Sequence, residues 1–249
     1  RHKVGADWGE ASGREEPPAI LRRAYRNLAV GHGPRQEAFR TFIRRAGGWL
    51  RDYADFMAIK ELHGHVPWDR WQPQYRDVAA WRARREEALA RSAALAETVA
   101  FYEYTQFVFA EQWQAVRDHA ARLGRRIVGD IPWYVGYDSA DVWAHPEFFD
   151  LDAEGRPLHV AGVPPDYFSA TGQLWGNPVY RWWDASGALN EPALAWWADA
   201  IAHLLTTVDL LRVDHFRAID SYWKIPFGSP TAQRGEWGRG PGRRLLEAL

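Results

Sequence analysis

Two short apolar runs, each with an aspartate at its carboxyl end, constrain this chain most. The first lies in RRIVGDIP. It is apolar from Ile127 to Ile131, is interrupted by Gly129-Asp130 and is stopped by Pro132. The second runs from Val208 to Val213 and is followed at once by Asp214. Both read as buried strands. Between them lies a stretch rich in Pro, Gly, Asp and aromatics, 133–187, which reads as one long loop. A helical pattern follows at 191–205, with Leu194, Trp197, Ile201 and Leu205 on one face. A strand, a crossover containing a helix and a second strand pack as a right-handed parallel unit. The class is therefore expected to be α/β. In parallel barrels the reactive residues sit at the carboxyl ends of strands, where Asp130 and Asp214 fall.

Upstream of Arg125 the pattern is helical. Apolar residues Phe39, Phe42, Ile43, Leu50, Tyr53, Phe56, Met57 and Leu62 predict a helix over 36–62 that breaks at Gly47-Gly48 and stops at Gly64. Residues 66–76 form a Trp/Pro loop, and 78–123 read as two further helices closed by Gly124. Residues 1–18 are polar and irregular. Two parts are thus expected: a mostly helical one, 1–124, and one carrying both strands and the long loop, 125–249. The chain opens on Arg1, and RRLLEAL continues helix-like to Leu249, so both ends read as internal to a longer sequence.

Composition excludes several chemistries. There is no cysteine, so disulfides, thiolate catalysis and cysteine-bound zinc are ruled out, and a reducing cytoplasm fits. The net charge of −1 gives no electrostatic case for nucleic acid or an anionic membrane. Arg1 to Glu16 lacks a signal peptide's apolar region, and no apolar run reaches membrane-spanning length. His63 and His65 flank Gly64 without partner ligands and read as loop residues. Asp138-Ser139-Ala140-Asp141 reads as a helix N-cap rather than a cation site. No Walker loop, dinucleotide fingerprint, nucleophile elbow or zinc motif is present. Neither a metal nor a cofactor is expected.

The residues that remain form two groups. Arg212 precedes Asp214 by two positions, so on a strand both point to one side. A guanidinium beside a carboxylate favours the charged form that a nucleophile needs, although an ordinary ion pair at a strand end has the same pattern. The second group is PPDYFSATGQLWGNP, Pro164 to Pro178. Its Asp166, Tyr167, Phe168, Gln173, Trp175 and Asn177 offer ring faces and polar tips that suit an oligosaccharide. A rigid packed Ω-loop fits the same residues. The 15 tryptophans also stand between sugar stacking and core packing, and core packing is the default.

Three ordered motifs separate these readings. GDIPWYVGYDSADVWAHPEFFDLDAEGRP, AGVPPDYFSATGQLWGNPVY and LRVDHFRAIDSYWKIPFGSPTAQRGEW resemble the bacterial 4-α-glucanotransferase (amylomaltase) family of the α-amylase superfamily. The resemblance implies a partial (β/α)8 TIM barrel with helical insertions, and transfer of α-1,4-glucan segments between maltooligosaccharides with retention of configuration. It implies Asp214 as nucleophile, Arg212 as the group that orients and ionises it, and His215 as a contact to the donor sugar. Asp130 would support the site. Asp166, Tyr167 and Phe168 would belong to a mobile loop over the substrate groove, with Gln173, Trp175 and Asn177 also meeting substrate there.

Retaining transfer uses two carboxyl groups about 5 Å apart, one nucleophilic and one acid/base. The family's acid/base glutamate and third carboxylate have no motif here. Glu236 and Glu247 do not follow an apolar strand and are not assigned. Trp133-Tyr134 and Gly136-Tyr137 also depart from the family's pattern. The expected reading is the nucleophile-bearing middle of a transferase, with a partial barrel whose open strand edges leave the isolated chain poorly stable. The competing reading is a binding or regulatory protein derived from the enzyme, which holds maltooligosaccharides without turnover.

Overall fold

Proline at the first turn and an apolar residue every third or fourth position start the described chain as a helix. The computed structural model describes residues 17–249. Helix α1 (Pro17–Val30) opens on the proline pair, whose missing N–H groups have no helical partner in a first turn anyway. The proline pair, expected to close an irregular segment, instead opens this helix, and the rest of that segment lies outside the described residues. α2 (Pro34–Ala46) and α3 (Gly48–Leu62) meet at Gly47, whose φ of 68° gives the expected break. The Trp/Pro segment holds a 3-10 turn and the short helix α4 (Pro73–Arg76). α5 (Val78–Arg91) and α6 (Ala93–Arg122) follow as expected, and their capping residues explain the boundary. Asp77 accepts from Ala79 N and Ala80 N at 2.9 and 3.1 Å, and Ser92 accepts from Leu95 N at 3.2 Å.

The two expected strands form. β1 (Val128–Ile131) pairs in parallel with a strand near the carboxyl end, Leu210–Val213, and Asp130 stands opposite Arg212. They are not buried, however. Val128 is 62% exposed and Leu210 43%, because among the described residues the pair is a two-stranded sheet with one free edge on each strand.

The segment 133–187 is not structureless. It contains α7 (Ala140–Ala144), β2 (His159–Val163) and β3 (Gln173–Pro178). Ser139 caps α7 by accepting from Val142 N at 3.3 Å, while Asp138 pairs with Lys60. After α8 (Glu191–Leu205) and β4 (the Leu210–Val213 strand) come β5 (Ser221–Pro226), β6 (Glu236–Arg239) and α9 (Arg243–Ala248). Strands β3-β2-β5-β6 make a second, antiparallel sheet. The Pro164–Pro178 stretch is thus a hairpin turn plus a strand, not an Ω-loop. On α8, Leu194, Trp197 and Ile201 are buried as expected, but Leu205 is exposed at the helix end.

Tryptophan goes mainly to the core. Trp68, Trp71, Trp81, Trp133, Trp143, Trp182 and Trp197 are all buried. They belong to one cluster joining α3, α6, α7 and α8 to the sheet residues Ile131, Ala161 and Tyr222. Each such side chain contributes at least about 1.5–3 kcal/mol by leaving water, so this aromatic mass supports both sheets. No helix among the described residues is long and apolar enough to cross a membrane.

Candidate active site

Parallel pairing of β1 with β4 brings three charged groups together. Arg212 donates from Nη2 to Asp214 Oδ1 at 2.7 Å and from Nη1 to Asp130 Oδ2. One guanidinium therefore clamps two carboxylates, using the planar fork that lysine lacks. The three side chains are 53–59% exposed, so a ligand can reach them. Asp214 lies one residue beyond β4, yet its N–H donates to Ile131 O at 3.0 Å, which continues the ladder. Among the described residues nothing bonds its Oδ2. The carboxylate is thus anchored through one oxygen only.

His215 follows in a left-handed conformation, φ 50° and ψ 41°. For a residue with a Cβ this costs about 1–2 kcal/mol, and such strain gathers at functional sites. The conformation turns the ring between Trp175, perpendicular at 4.9 Å, and Tyr134 at 6.2 Å between centroids. Burial pulls the His215 pKa below its usual value; Asp214 opposes the shift and Arg217 adds to it. The ring is therefore neutral at neutral pH. Its Nε2 is buried without a partner.

The β2–β3 hairpin supplies the other residues. Asn177 is part of the scaffold: its Nδ2 donates to Val135 O at 2.9 Å and ties β3 to the segment after β1. Gln173 Oε1 accepts from Trp175 Nε1 at 3.1 Å and holds the indole, which is 38% exposed. Asp166 is committed to its own turn, where Oδ1 accepts from Phe168 N at 2.9 Å and Ser169 N at 2.8 Å. At the hairpin tip Tyr167 and Phe168 are 88% and 83% exposed, with ring centroids 4.1 Å apart. Among the described residues no ring contact links them to Trp175 or His215.

The structure thus gathers Asp130, Arg212, Asp214, His215 and Trp175 into one group. Gln173 and Asn177 serve as its supports, and Asp166, Tyr167 and Phe168 stand apart on the tip. Sequence reasoning noticed Tyr134 only as an unusual residue. It is buried behind the group, against Trp175, Tyr180, His215 and Tyr222.

Glu236 is unsuited to donate a proton, because Lys224 at 2.7 Å holds its carboxyl below the usual range. Two clefts of about 590 and 600 Å³ open elsewhere, and neither includes Asp214, Arg212 or His215. The Asp130–Arg212–Asp214 group lies at an open strand end instead. Among the described residues no group of three or more His, Asp or Glu side chains could hold a metal ion.

Known proteins resemble the chain over nearly all of its length. A family model described as 4-alpha-glucanotransferase matches residues 14–249. A 4-alpha-glucanotransferase of Thermus thermophilus is 47% identical over 92% of this chain and 44% of its own length. One from Aquifex aeolicus is 42% identical over the same shares. Among solved structures, an amylomaltase from Streptococcus agalactiae in complex with acarbose superposes with a TM-score of 0.79 at 38% identity. That superposition covers 92% of this chain and 44% of that one. The chain therefore spans less than half the length of these relatives.

Proposed function

The chain belongs to the 4-alpha-glucanotransferase family, and we propose that it is the nucleophile-bearing segment of an enzyme that moves α-1,4-glucan segments between maltooligosaccharides. The observation that carries this reading is the Asp130–Arg212–Asp214 clamp beside His215 and Trp175. Asp214 Oδ2 attacks the anomeric carbon of the donor. The bond to the departing sugar oxygen breaks, and that oxygen takes a proton from an acid. The glucan is left as an ester on Asp214. A hydroxyl of the acceptor glucan then attacks the same carbon, gives its proton back to the base and frees the carboxylate, so configuration is retained.

In this reading Arg212 aims Asp214, and Asp130 holds Arg212 from the other side. Trp175 offers a face to a sugar ring, and His215 offers a neutral hydrogen-bonding nitrogen. Tyr167 and Phe168 on the hairpin tip would close over a bound glucan, and the excluded water favours the acceptor hydroxyl. The acid/base carboxylate is assigned to the part of the relatives' length that this chain does not span. No cofactor enters the scheme.

We read the β1–β4 pair as part of a (β/α)8 barrel, with 125–249 as barrel segment and 1–124 as a helical flank. The unpaired edges and exposed Val128 and Leu210 support this, because further strands would cover them. The absence of cysteine supports a cytoplasmic setting.

The test is product analysis of the full-length protein with maltotriose. A transferase makes chains longer than maltotriose. Shortening alone would indicate a hydrolase, and binding without turnover would indicate a glucan-binding protein; either result refutes the proposal.

A further inference from the structure

Two buried polar atoms without partners stand on neighbouring rings at the candidate site: the Tyr134 hydroxyl and His215 Nε2. A buried polar group left unpaired destabilises a fold, so two together at a site need an explanation. They are complementary. A neutral imidazole has one N–H and one lone pair, and a phenol both donates and accepts. The rings are 6.2 Å apart between centroids and tilted by 40°. Tyr134 is fixed by packing, stacked on Tyr180 at 6.0 Å and 17° and set edge-on to Tyr222 at 6.5 Å. His215 is fixed by its left-handed backbone and by Trp175.

We infer that Tyr134 is a positioning residue for His215: its hydroxyl supplies a hydrogen bond to Nε2 through one buried water. This deepens the transferase reading, because it assigns the orientation of a ring which that reading places against the donor sugar. A bond accepted at Nε2 puts the proton of the neutral ring on Nδ1, which is then the ring's one donor. A single enclosed water between two polar atoms is an ordinary structural element. Charged groups near the ring are Asp214 and Arg217, and neither supplies the missing partner at Nε2.

The experiment uses the full-length protein with nitrogen-15 histidine, and His215→Gln identifies the signal. In the wild type the His215 ring is expected as the Nδ1–H tautomer. Tyr134→Phe keeps the ring packing and removes only the hydroxyl. It is expected to release His215 toward the Nε2–H tautomer and lower kcat on maltotriose roughly tenfold, with KM changed less. Tyr222→Phe removes a neighbouring hydroxyl that donates to Tyr180 O at 3.4 Å, and should leave the tautomer unchanged. An Nε2–H ring in the wild type, or the same signal in Tyr134→Phe, overturns the pairing. So does an equal shift in Tyr222→Phe, which would mark a general packing effect. The tautomer is read without glucan. A protein that shows the shift but does not extend maltotriose refutes the transferase reading alone, and one that transfers without the shift refutes the pairing alone.

Discussion

Two glycines of the β2–β3 hairpin separate backbone strain from crowding. Gly172 and Gly176 both have positive φ, 67° and 82°. A Cβ at Gly176 would meet nothing within 4 Å. At Gly172 it would lie 2.4 Å from Val163 O and 2.9 Å from the Ala232 Cβ. Alanine in the left-handed region costs about 1–2 kcal/mol. Lower entropy of the unfolded chain returns roughly 0.4–1 kcal/mol. Gly176→Ala should therefore destabilise the hairpin by only about 0.5–1 kcal/mol. Gly172→Ala adds overpacking against backbone, about 1–3 kcal/mol, for a total of roughly 2–4 kcal/mol.

Hydrogen exchange of the 160–178 amides in the full-length protein reads this opening energy locally. With tenfold per 1.4 kcal/mol, exchange should quicken roughly a hundredfold in Gly172→Ala and only a few-fold in Gly176→Ala. Equal effects, or the reverse order, would refute the placement of the turn against Val163. Because the same hairpin carries Trp175 and the Tyr167–Phe168 tip, Gly172→Ala should also raise KM for maltotriose.

Arg212→Lys should leave stability within about 1 kcal/mol, since both ion pairs are largely exposed, yet reduce glucan transfer roughly a hundredfold by losing the fork. Thermal melting and steady-state rates measured on one preparation check both halves. Asp166→Asn should keep most activity because a carboxamide oxygen still accepts from Phe168 and Ser169, whereas Asp166→Ala should lose about 1 kcal/mol of turn stability. Equal loss in both variants would mean that the charge itself meets substrate. For His215, burial favours the neutral ring, so the unfolded chain takes up a proton first as pH falls. The stability it contributes is held above pH 6.5 and lost progressively below it, and the transfer rate should show an acid limb there that His215→Gln removes.

What was legible followed from local rules. Glycines and apolar spacing marked α2, α3, α5, α6 and α8, and two apolar runs marked β1 and β4. The four-stranded sheet was hidden because its pairing is remote. His159 pairs with Pro226 and Lys224 with Glu236, and each strand is a short stretch containing Gly or Pro. Gly162 looks like a loop residue, yet it lies within a strand where a Cβ would sit 2.2 Å from Gln173 O. At the site, the spacing of Arg212 and Asp214 was enough to predict one clamp, but the reach to Asp130 needed the register. Asp166 and Asn177 read as substrate contacts, and the turn that Asp166 Oδ1 closes and the anchor that Asn177 Nδ2 makes are roles that only the fold shows. Tyr134 could not be found from sequence, since no local pattern shows what lies behind His215.

The most direct test of the account is to trap the glycosyl ester on the full-length protein with a slow-leaving maltosyl donor and locate it by peptide mass. The account predicts one maltosyl group on Asp214, absent from Asp214→Asn, which should also lack transfer. An adduct on another carboxylate, or an Asp214→Asn protein that keeps most of its activity, would contradict it.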